Sequence, residues 1–244
     1  MDIIRHINQK KMILQIVERG NNMDTVKLNL PGVDEFFTQE SYKVFRTNLQ
    51  FCGQDINAIT ITSCNENEGK TTIALHIAKS FSDLGKRVLL IDADMRKSVM
   101  VRRNTDANVV CGLSEVLTGM ASLSECVFAT QYENMHILFS GKYPPNPVEL
   151  LNGKHFAVLL REIRNIYDYI IIDTPPLGQV IDAAIVAAQC DGTVLVLDDG
   201  KVHYRQAQRV LYQLEKSECK VLGAVLNNTK RRRKAYYKSK KYGE

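Results

Sequence analysis

The sequence has no run of 18 apolar residues, so no membrane-spanning helix is expected. Its first eleven residues contain too short an apolar stretch for a secretory signal. The six cysteines are scattered, without a C-x-x-C pair and with little histidine nearby. This pattern argues against a zinc site and against a disulfide framework. Together these absences predict a protein of the reducing cytoplasm.

The charge is concentrated at the C-terminus. Residues 229–244 contain eight Lys or Arg and one Glu, a net charge of 8 − 1 = +7, whereas the whole chain carries +5. The remaining residues therefore carry 5 − 7 = −2. The 244-residue chain is 45% hydrophobic and 24% charged, which is typical of a globular protein with one sizeable core.

Apolar runs of strand length alternate with helical patterns along most of the chain. The predicted strands lie at 58–63, 87–92, 135–140, 169–173, 192–197 and 220–226. The predicted helices lie at 33–50, 71–84, 147–166, 180–188 and 204–217. Continuous apolar strands separated by crossover helices indicate an α/β fold with a doubly wound, mostly parallel sheet flanked by helices. Its ligand crevice is expected beyond the carboxyl ends of the strands.

Three regions are expected along the chain. Residues 1–32 form an N-terminal extension with a short helix at 3–18, and Met23 offers a second possible start. Residues 33–230 form the main domain. Residues 231–244 form a flexible, basic, tyrosine-rich tail that is too polar to pack.

A phosphate-binding loop follows the first predicted strand of the main domain. The segment CNENEGKT, residues 64–71, matches G-x-x-x-x-G-K-[ST] except that Cys64 replaces the first glycine. Gly69 permits close approach of the backbone, Lys70 neutralises phosphate charge, and the Thr71 hydroxyl can ligate Mg²⁺. Because the loop lies between a strand and a helix, we interpret it as a nucleotide site rather than as a chance G-K-T.

Three carboxylates follow predicted strands. Asp92 and Asp94 end one strand and point to the same side, and Asp173 follows the buried run YIII in the Walker B arrangement. Mg²⁺ and Lys70 would compensate such a cluster. Taken singly, each acid also fits an ordinary loop start or a turn before proline. Asp182 is assigned no chemistry and is interpreted as an acid at the start of a helix.

The segments ITSCNENEGKTT, VLLIDADMRK and YIIIDTPP together resemble the bacterial tyrosine kinase family of capsule and exopolysaccharide operons. These kinases are P-loop NTPases of the partition-ATPase-like type. The resemblance runs from about Glu40 to the C-terminus. It includes GLSEVLTG (112–119), SGKYPPNPVELL (140–151) and GAVLN (223–227).

This resemblance implies an ATP- and Mg²⁺-dependent protein-tyrosine kinase. Asp92 would accept the proton of the substrate tyrosine, and Lys70 would hold the phosphates. Thr71, Asp94 and Asp173 would hold Mg²⁺.

The resemblance also assigns further contacts to the nucleotide. Gly69, Lys70, Thr71 and Thr72 would contact the phosphates of ATP. Asn227 falls where related ATPases contact the adenine, although a strand-ending Asn is also a common turn former.

The sequence departs from the family pattern in the phosphate loop and just after the second strand. Glu66 and Asn67 replace Pro-Gly, and the added negative charge is expected to weaken ATP binding. Ser98 replaces a proline, and this change is expected to matter little.

A third departure concerns assembly. The family motif E-x-x-R-x-x-R, which closes a ring of subunits, appears here as Glu40, Lys43 and Arg46. Lys43 cannot make the bidentate contacts of arginine, which puts ring assembly in question.

The resemblance implies that the tail is a substrate. Tyr236, Tyr237 and Tyr242 would be phosphorylated in trans by a neighbouring subunit. The basic tail is expected to match a crevice rich in carboxylates. From composition alone, a basic tail attracted to nucleic acid or anionic lipid is an equal alternative.

The implied partners are other copies of the chain, a separate membrane activator of the polysaccharide co-polymerase type and a cognate tyrosine phosphatase. No nucleic acid is expected. The protein would be cytoplasmic and recruited by its activator to the inner face of the membrane, where it would regulate capsular or exopolysaccharide synthesis and export.

Two other functions remain open from the sequence. A partition-type ATPase shares the loop but carries a second lysine where this chain has Asn65, and the tail has no amphipathic membrane helix. A non-catalytic, nucleotide-dependent assembly switch would need neither Asp92 nor the tyrosines. Measurement of phosphotyrosine distinguishes this switch from a kinase.

Overall fold

The computed structural model describes residues 23–32 and 35–229, and in this part of the chain eight strands form one sheet. The strands are Thr25–Val26 (β1), Ala58–Ser63 (β2), Val88–Asp92 (β3), Val127–Thr130 (β4), Met135–Leu138 (β5), Tyr169–Asp173 (β6), Gly192–Asp198 (β7) and Val221–Asn227 (β8). Their order across the sheet is β1-β4-β5-β3-β6-β2-β7-β8. All neighbours are parallel except β4 and β5.

Nine helices are described in the same part of the chain, and several are short. They are Phe36–Phe51 (α1), Lys70–Ser82 (α2), Met100–Asn104 (α3), Leu113–Thr118 (α4), Leu123–Cys126 (α5), Pro147–Leu151 (α6), Lys154–Ile163 (α7), Asp182–Ala187 (α8) and Tyr204–Lys216 (α9).

The sheet has a hydrophobic core on each face because apolar side chains of its central strands point to both faces. In β6, Ile171 packs with the core that contains helix α2, whereas Ile170 and Ile172 pack with the core that contains α7. Alternate side chains of a strand point to opposite faces, so an unbroken apolar run serves both cores. The predicted fold class is confirmed.

The central strands β3, β6 and β2 end at the same edge of the sheet. Asp92 at the end of β3 pairs in register with Asp173 at the end of β6, and Asp173 pairs on its other side with Ile61 of β2. The phosphate loop leaves β2 two residues later. This register places the predicted carboxylates beside the loop.

The predicted strands at 58–63 and 169–173 coincide with β2 and β6. The predicted helix at 147–166 is wrong in one respect, because it consists of two helices. Gly153 between them is extended, with φ −75° and ψ 159°, and forms the N-cap of α7. The short elements β1, β4, α3, α4 and α5 were not predicted, since two to six residues show too little periodicity.

The predicted boundary at residue 33 lies too far along the chain, since described residues before it belong to the fold. Strand β1 pairs with β4 at the sheet edge, and Leu28 and Leu30 are buried in the core. The backbone N–H and C=O of Leu28 both bond to the side chain of Gln131. The proposed helix at 3–18 and the tail at 231–244 lie outside the described residues.

One pair of cysteines departs from the expectation of no disulfides. Cys111, just before α4, is bonded to Cys126 at the end of α5, while Cys52, Cys64, Cys190 and Cys219 are free. The sequence gives no sign of this pair because only the packing of the two short helices brings the sulfurs together. No helix in the described ranges is long and apolar enough to cross a membrane.

Candidate active site

The phosphate loop joins β2 to α2, and Gly69 sets its shape. Gly69 has a φ of +92°, and an added Cβ would lie 2.1 Å from Nδ2 of Asn227. The same Asn227 amide donates to the backbone oxygen of Glu68 at 2.9 Å. Asn227 therefore braces the back of the loop from the end of β8, and any side chain at position 69 would collide with it.

The loop keeps its form despite its unusual residues. Cys64 does not have a positive φ, so the first position of the loop motif does not require glycine here. Asn67 adopts the left-handed conformation, with a φ of 60°. The Cys64 N–H donates to Oε2 of Glu68 at 3.0 Å. Burial, together with the charge of Glu68, raises the pKa of the Cys64 thiol to about 12, so this thiol stays neutral.

The carboxylates of Asp92 and Asp173 form a buried centre at the mouth of the loop. Their exposed fractions are only 1% and 2%. The Thr71 hydroxyl donates to Oδ2 of Asp173 at 2.6 Å. Oδ1 of Asp173 is buried and has no hydrogen-bond partner among the described residues. A buried carboxylate oxygen without a partner is a strong reason to expect a cation or water there.

Burial dominates the ionisation of this centre. It raises the pKa of Asp92 to about 8, and the nearby charge of Asp173 adds to the effect. Burial also raises the pKa of Asp173 to about 6, although the Lys70 ammonium opposes this shift. Two buried carboxylates that repel each other would be stabilised by a bound cation.

The residues fit Mg²⁺ rather than a metal held wholly by protein. Within the described ranges no group of three or more His, Cys, Asp or Glu could hold a metal. Magnesium instead uses one or two carboxylates and completes its shell with phosphate oxygens and water. Thr71, Asp94 and Asp173 provide such a partial set, and all three lie beside the loop.

Ser98 makes contacts that the sequence did not predict. Its hydroxyl donates to Oδ2 of Asp92 and accepts the N–H of Met100 at 3.2 Å. A proline at this position could do neither. Ser98 therefore links the start of α3 directly to the carboxylate predicted to act as a base.

Asp182 begins α8, as the sequence predicted, and it also forms a buried ion pair that the sequence did not predict. It is completely buried and receives two bonds from Arg96, at 2.8 and 3.1 Å. The N–H of Arg96 donates to Oδ1 of Asp94 at 3.2 Å. The ion pair thus fixes the turn that carries Asp94, which residue spacing could not reveal because Arg96 and Asp182 lie 86 residues apart.

Comparisons with known proteins agree with this geometry. A family model described as an AAA domain matches residues 57–202, more than half of the chain. The chain is 42% identical over 190 residues to "Tyrosine-protein kinase CpsD" of Streptococcus agalactiae, which covers 78% of this chain and 83% of that protein. The chain belongs to the bacterial tyrosine kinase family.

Solved structures show the same relationship. The kinase resembles the kinase domain of the Escherichia coli tyrosine kinase ETK at 28% identity and a TM-score of 0.78, covering 89% of this chain and 87% of that one. It also resembles the septum site-determining protein MinD of Pyrococcus horikoshii, solved with Mg-ADP. Here the identity is 26% and the TM-score 0.59, with 72% of each chain covered.

Asn65 distinguishes the kinase from the partition-type ATPases to which its fold is related. Its side chain donates to Oε1 of Glu68 at 2.7 Å and accepts a bond from Gln206 of α9. It is therefore used within its own chain. The position lacks the cation that a partition-type ATPase would extend toward a partner.

The three residues of the predicted assembly motif lie on α1 but have different surroundings. Glu40 and Lys43 are exposed and pair with each other at 2.7 Å. Arg46 instead donates to the backbone oxygen and the hydroxyl of Ser80, which ties α1 to α2. Arg46 is thus already engaged within the kinase.

The cleft is less acidic than the sequence suggested. Its carboxylates lie at the buried floor, and Glu66 of the phosphate loop is paired with Lys97 at 3.1 Å, which offsets the charge expected to weaken ATP binding. Arg102, Arg103 and Lys142 also line the cleft. The cleft therefore contains exposed cations as well as the carboxylates that the sequence predicted.

Proposed function

We propose that this kinase transfers the γ-phosphoryl group of ATP to Tyr236, Tyr237 and Tyr242 in the tail of a neighbouring copy. The observation that carries this proposal is the buried pair Asp92 and Asp173 at the mouth of a phosphate loop. Family membership makes the chain a tyrosine-protein kinase. The three tyrosines lie in the only segment that is both tyrosine-rich and strongly basic.

The phosphate loop would bind and orient the nucleotide. The backbone N–H groups at Gly69 and at the start of α2, including Thr72, would cradle the phosphates, and Lys70 would neutralise their charge. Asn227 holds the loop in shape and would lie near the adenine. Most of the acceleration would come from positioning and charge compensation.

Asp92 would act as the base. Its raised pKa, near neutrality, suits a group that must accept the proton of a phenol during phosphoryl transfer. Asp94 and Asp173 would hold Mg²⁺ together with Thr71. When bound, Mg²⁺ neutralises the charge that develops on the transferred group. Ser98 would keep the Asp92 carboxylate oriented toward the acceptor.

We further propose that the kinase regulates capsular or exopolysaccharide synthesis and export. Its partners would be other copies of itself, a membrane activator of the polysaccharide co-polymerase type and a tyrosine phosphatase. The activator would recruit the kinase from the cytoplasm to the inner face of the membrane. Nucleic acid would not be among these partners.

The test is the intact mass of the full chain after incubation with Mg-ATP, with and without a peptide from a candidate activator tail. Wild type should gain up to three phosphates. Lys70→Met should gain none, because the phosphate loop loses its cation. The Tyr236/Tyr237/Tyr242→Phe triple variant should also gain none, because the acceptors are missing.

Lys86→Met serves as the matched control, since Lys86 is exposed and precedes β3 at the opposite edge of the sheet. It should be phosphorylated like wild type. ATP hydrolysis without any phosphoprotein, even with the activator peptide, would contradict the kinase and favour an assembly switch. Phosphate that persists in the triple variant would contradict the tail as the main acceptor.

A further inference from the structure

The cleft at the carboxyl edge of the sheet has a volume of about 1310 Å³. Small-molecule sites usually occupy about 300–1,000 Å³, so this cleft has room for more than a nucleotide. The phosphate loop forms one wall. A second wall, called here the basic wall, consists of α3, the turn before it and the turn at residues 140–143.

The basic wall carries cations that the kinase does not neutralise. Arg102, Arg103 and Lys142 are exposed and make no ion pair within the described ranges. The other two cations of the wall differ, since Arg96 is paired with Asp182 and Lys97 with Glu66. Three positive charges are thus available to a ligand in the cleft.

These cations lie close to the catalytic carboxylates. The Tyr143 hydroxyl donates to the backbone oxygen of Ser98 at 3.1 Å. Its phenol is within electrostatic reach of Asp92, Asp94 and Arg102. Ser98, which accepts the Tyr143 hydroxyl, is itself bonded to Asp92, so Tyr143 lies near both the buried acids and the basic wall. A ligand on this wall would lie next to a substrate tyrosine bound at Asp92.

The charge of the tail changes its fit to this wall. Residues 229–244 carry +7 before modification, and the wall would repel them. Each phosphotyrosine adds a charge of roughly −1.5 to −2 and oxygens that arginine can bind in pairs. The last described strand ends at Asn227, on the loop side of the sheet, so the tail starts from the edge that holds the cleft.

We propose that Arg102, Arg103 and Lys142 form a phosphotyrosine-binding subsite that holds a tail tyrosine already phosphorylated. This subsite rests on the proposed function, because it requires a tail that becomes modified. It retains the tail while a neighbouring tyrosine enters the centre at Asp92. The first phosphate is then added more slowly than the next, and the fully modified tail competes with new acceptors.

The experiment measures peptide binding rather than catalysis. A fluorescent peptide of residues 229–244, phosphorylated at Tyr237 or unmodified, is titrated with the full chain carrying Tyr236, Tyr237 and Tyr242→Phe. Saturating Mg-ADP keeps the phosphate loop occupied. The phosphopeptide should bind roughly tenfold more tightly than the unmodified peptide, and added salt should reduce the difference.

Variants test the assignment to the wall. Arg102→Gln, Arg103→Gln and Lys142→Gln together should abolish the preference for phosphate, while Lys142→Gln alone should reduce it. The matched control changes Lys86, Arg161 and Lys216 to Gln, three exposed cations near the amino ends of the strands. This control removes the same charge and should keep the preference. Unchanged Mg-ADP binding checks that each variant is folded.

Three results would overturn the subsite. The first is equal binding of both peptides, and the second is loss of the preference in the control variant. The third is a preference that appears only when the titration is repeated without Mg-ADP, which would place the phosphate in the loop. The outcome is separable from the proposed function. A kinase that phosphorylates its tail but shows no preference lacks only the subsite, whereas a preference without autophosphorylation would refute the tail as acceptor.

Discussion

The ionisation of Asp92 depends on residues that are distant from it in sequence. It ends a buried strand next to Asp173, and the Ser98 hydroxyl is bonded to it. Burial and the second carboxylate make its charged form unfavourable. The bond from Ser98 acts in the opposite direction, since a donor stabilises the carboxylate. Such a balance suits a base whose protonation must change during a reaction.

The raised pKa of Asp92 predicts how stability depends on pH. The folded protein keeps a proton on Asp92 up to about pH 8, whereas the unfolded chain releases it near its ordinary value of 3.8. The folded state therefore binds more protons in this window, and its stability should fall as the pH rises from about 4 to about 8. Without Mg²⁺ or nucleotide, Asp92→Asn should stabilise the protein at pH 8 by roughly 1–3 kcal/mol.

Denaturant unfolding of both proteins at pH 5 and pH 8 checks this prediction. The stabilisation should be smaller at pH 5, because wild type is then protonated at Asp92. Asp106→Asn is the control, since Asp106 is exposed on a loop and should change stability little at either pH. Equal stabilities of Asp92→Asn and wild type at pH 8 would show that the charged form of Asp92 does not destabilise the folded protein.

At the scale of elements, residues 23–32 form an edge strand and an apolar anchor. Leu28 and Leu30 enter the core with exposed fractions of 2% and 4%, and Asn29 exchanges bonds with Asn104 at the end of α3. This segment therefore supports the helix that bears the basic wall. The sequence did not predict this segment as part of the fold. A strand of two residues followed by two alternate leucines is too short a pattern to be distinguished from a loop.

We expect Leu28→Ala to destabilise the kinase by roughly 2–5 kcal/mol, the usual effect of deleting a buried leucine side chain. Thermal unfolding of the full chain measures it. The matched variant Lys27→Ala changes the exposed neighbour and should alter stability by less than about 0.5 kcal/mol. If both variants unfold like wild type, residues 23–32 are an appended segment as the sequence first suggested.

At the scale of the whole molecule, α1 presents an apolar surface to solvent. Phe36, Val44 and Phe51 have exposed fractions of 64%, 60% and 81%. Glu40 and Lys43 lie on the same helix and are also exposed. Large apolar side chains grouped on one exposed helix commonly mark a contact between proteins. The assembly predicted from the motif would therefore use this surface. Arg46 would support it indirectly, by holding α1 against α2.

Val44→Glu should weaken self-association by about tenfold or more, because a buried charge would replace an apolar contact. Light scattering over a concentration series measures the change in average mass. Val158→Glu is the matched control, since Val158 lies on α7 on the other face of the sheet and is 36% exposed. An equal effect of both variants, or none from Val44→Glu, would rule out α1 as the contact.

The sequence by itself determined the fold class and the centre of the site. The runs at 58–63 and 169–173 are rich in isoleucine and bounded by turn signals, and a strand buried on both faces accommodates such a run in a sheet. The loop at 64–71 and the acids that follow two strands then had to meet, because parallel strands share one edge. These features depend on local pattern and strand direction alone.

Tertiary structure decided how the site is supported. Ser98 meets Asp92, Arg96 meets Asp182, and Asn227 braces Gly69 only after the chain has folded. The same is true of the basic wall, since Arg102 and Lys142 are 40 residues apart and lie in one cleft. Side-chain pairing and net local charge depend on distances through space, which residue order does not encode.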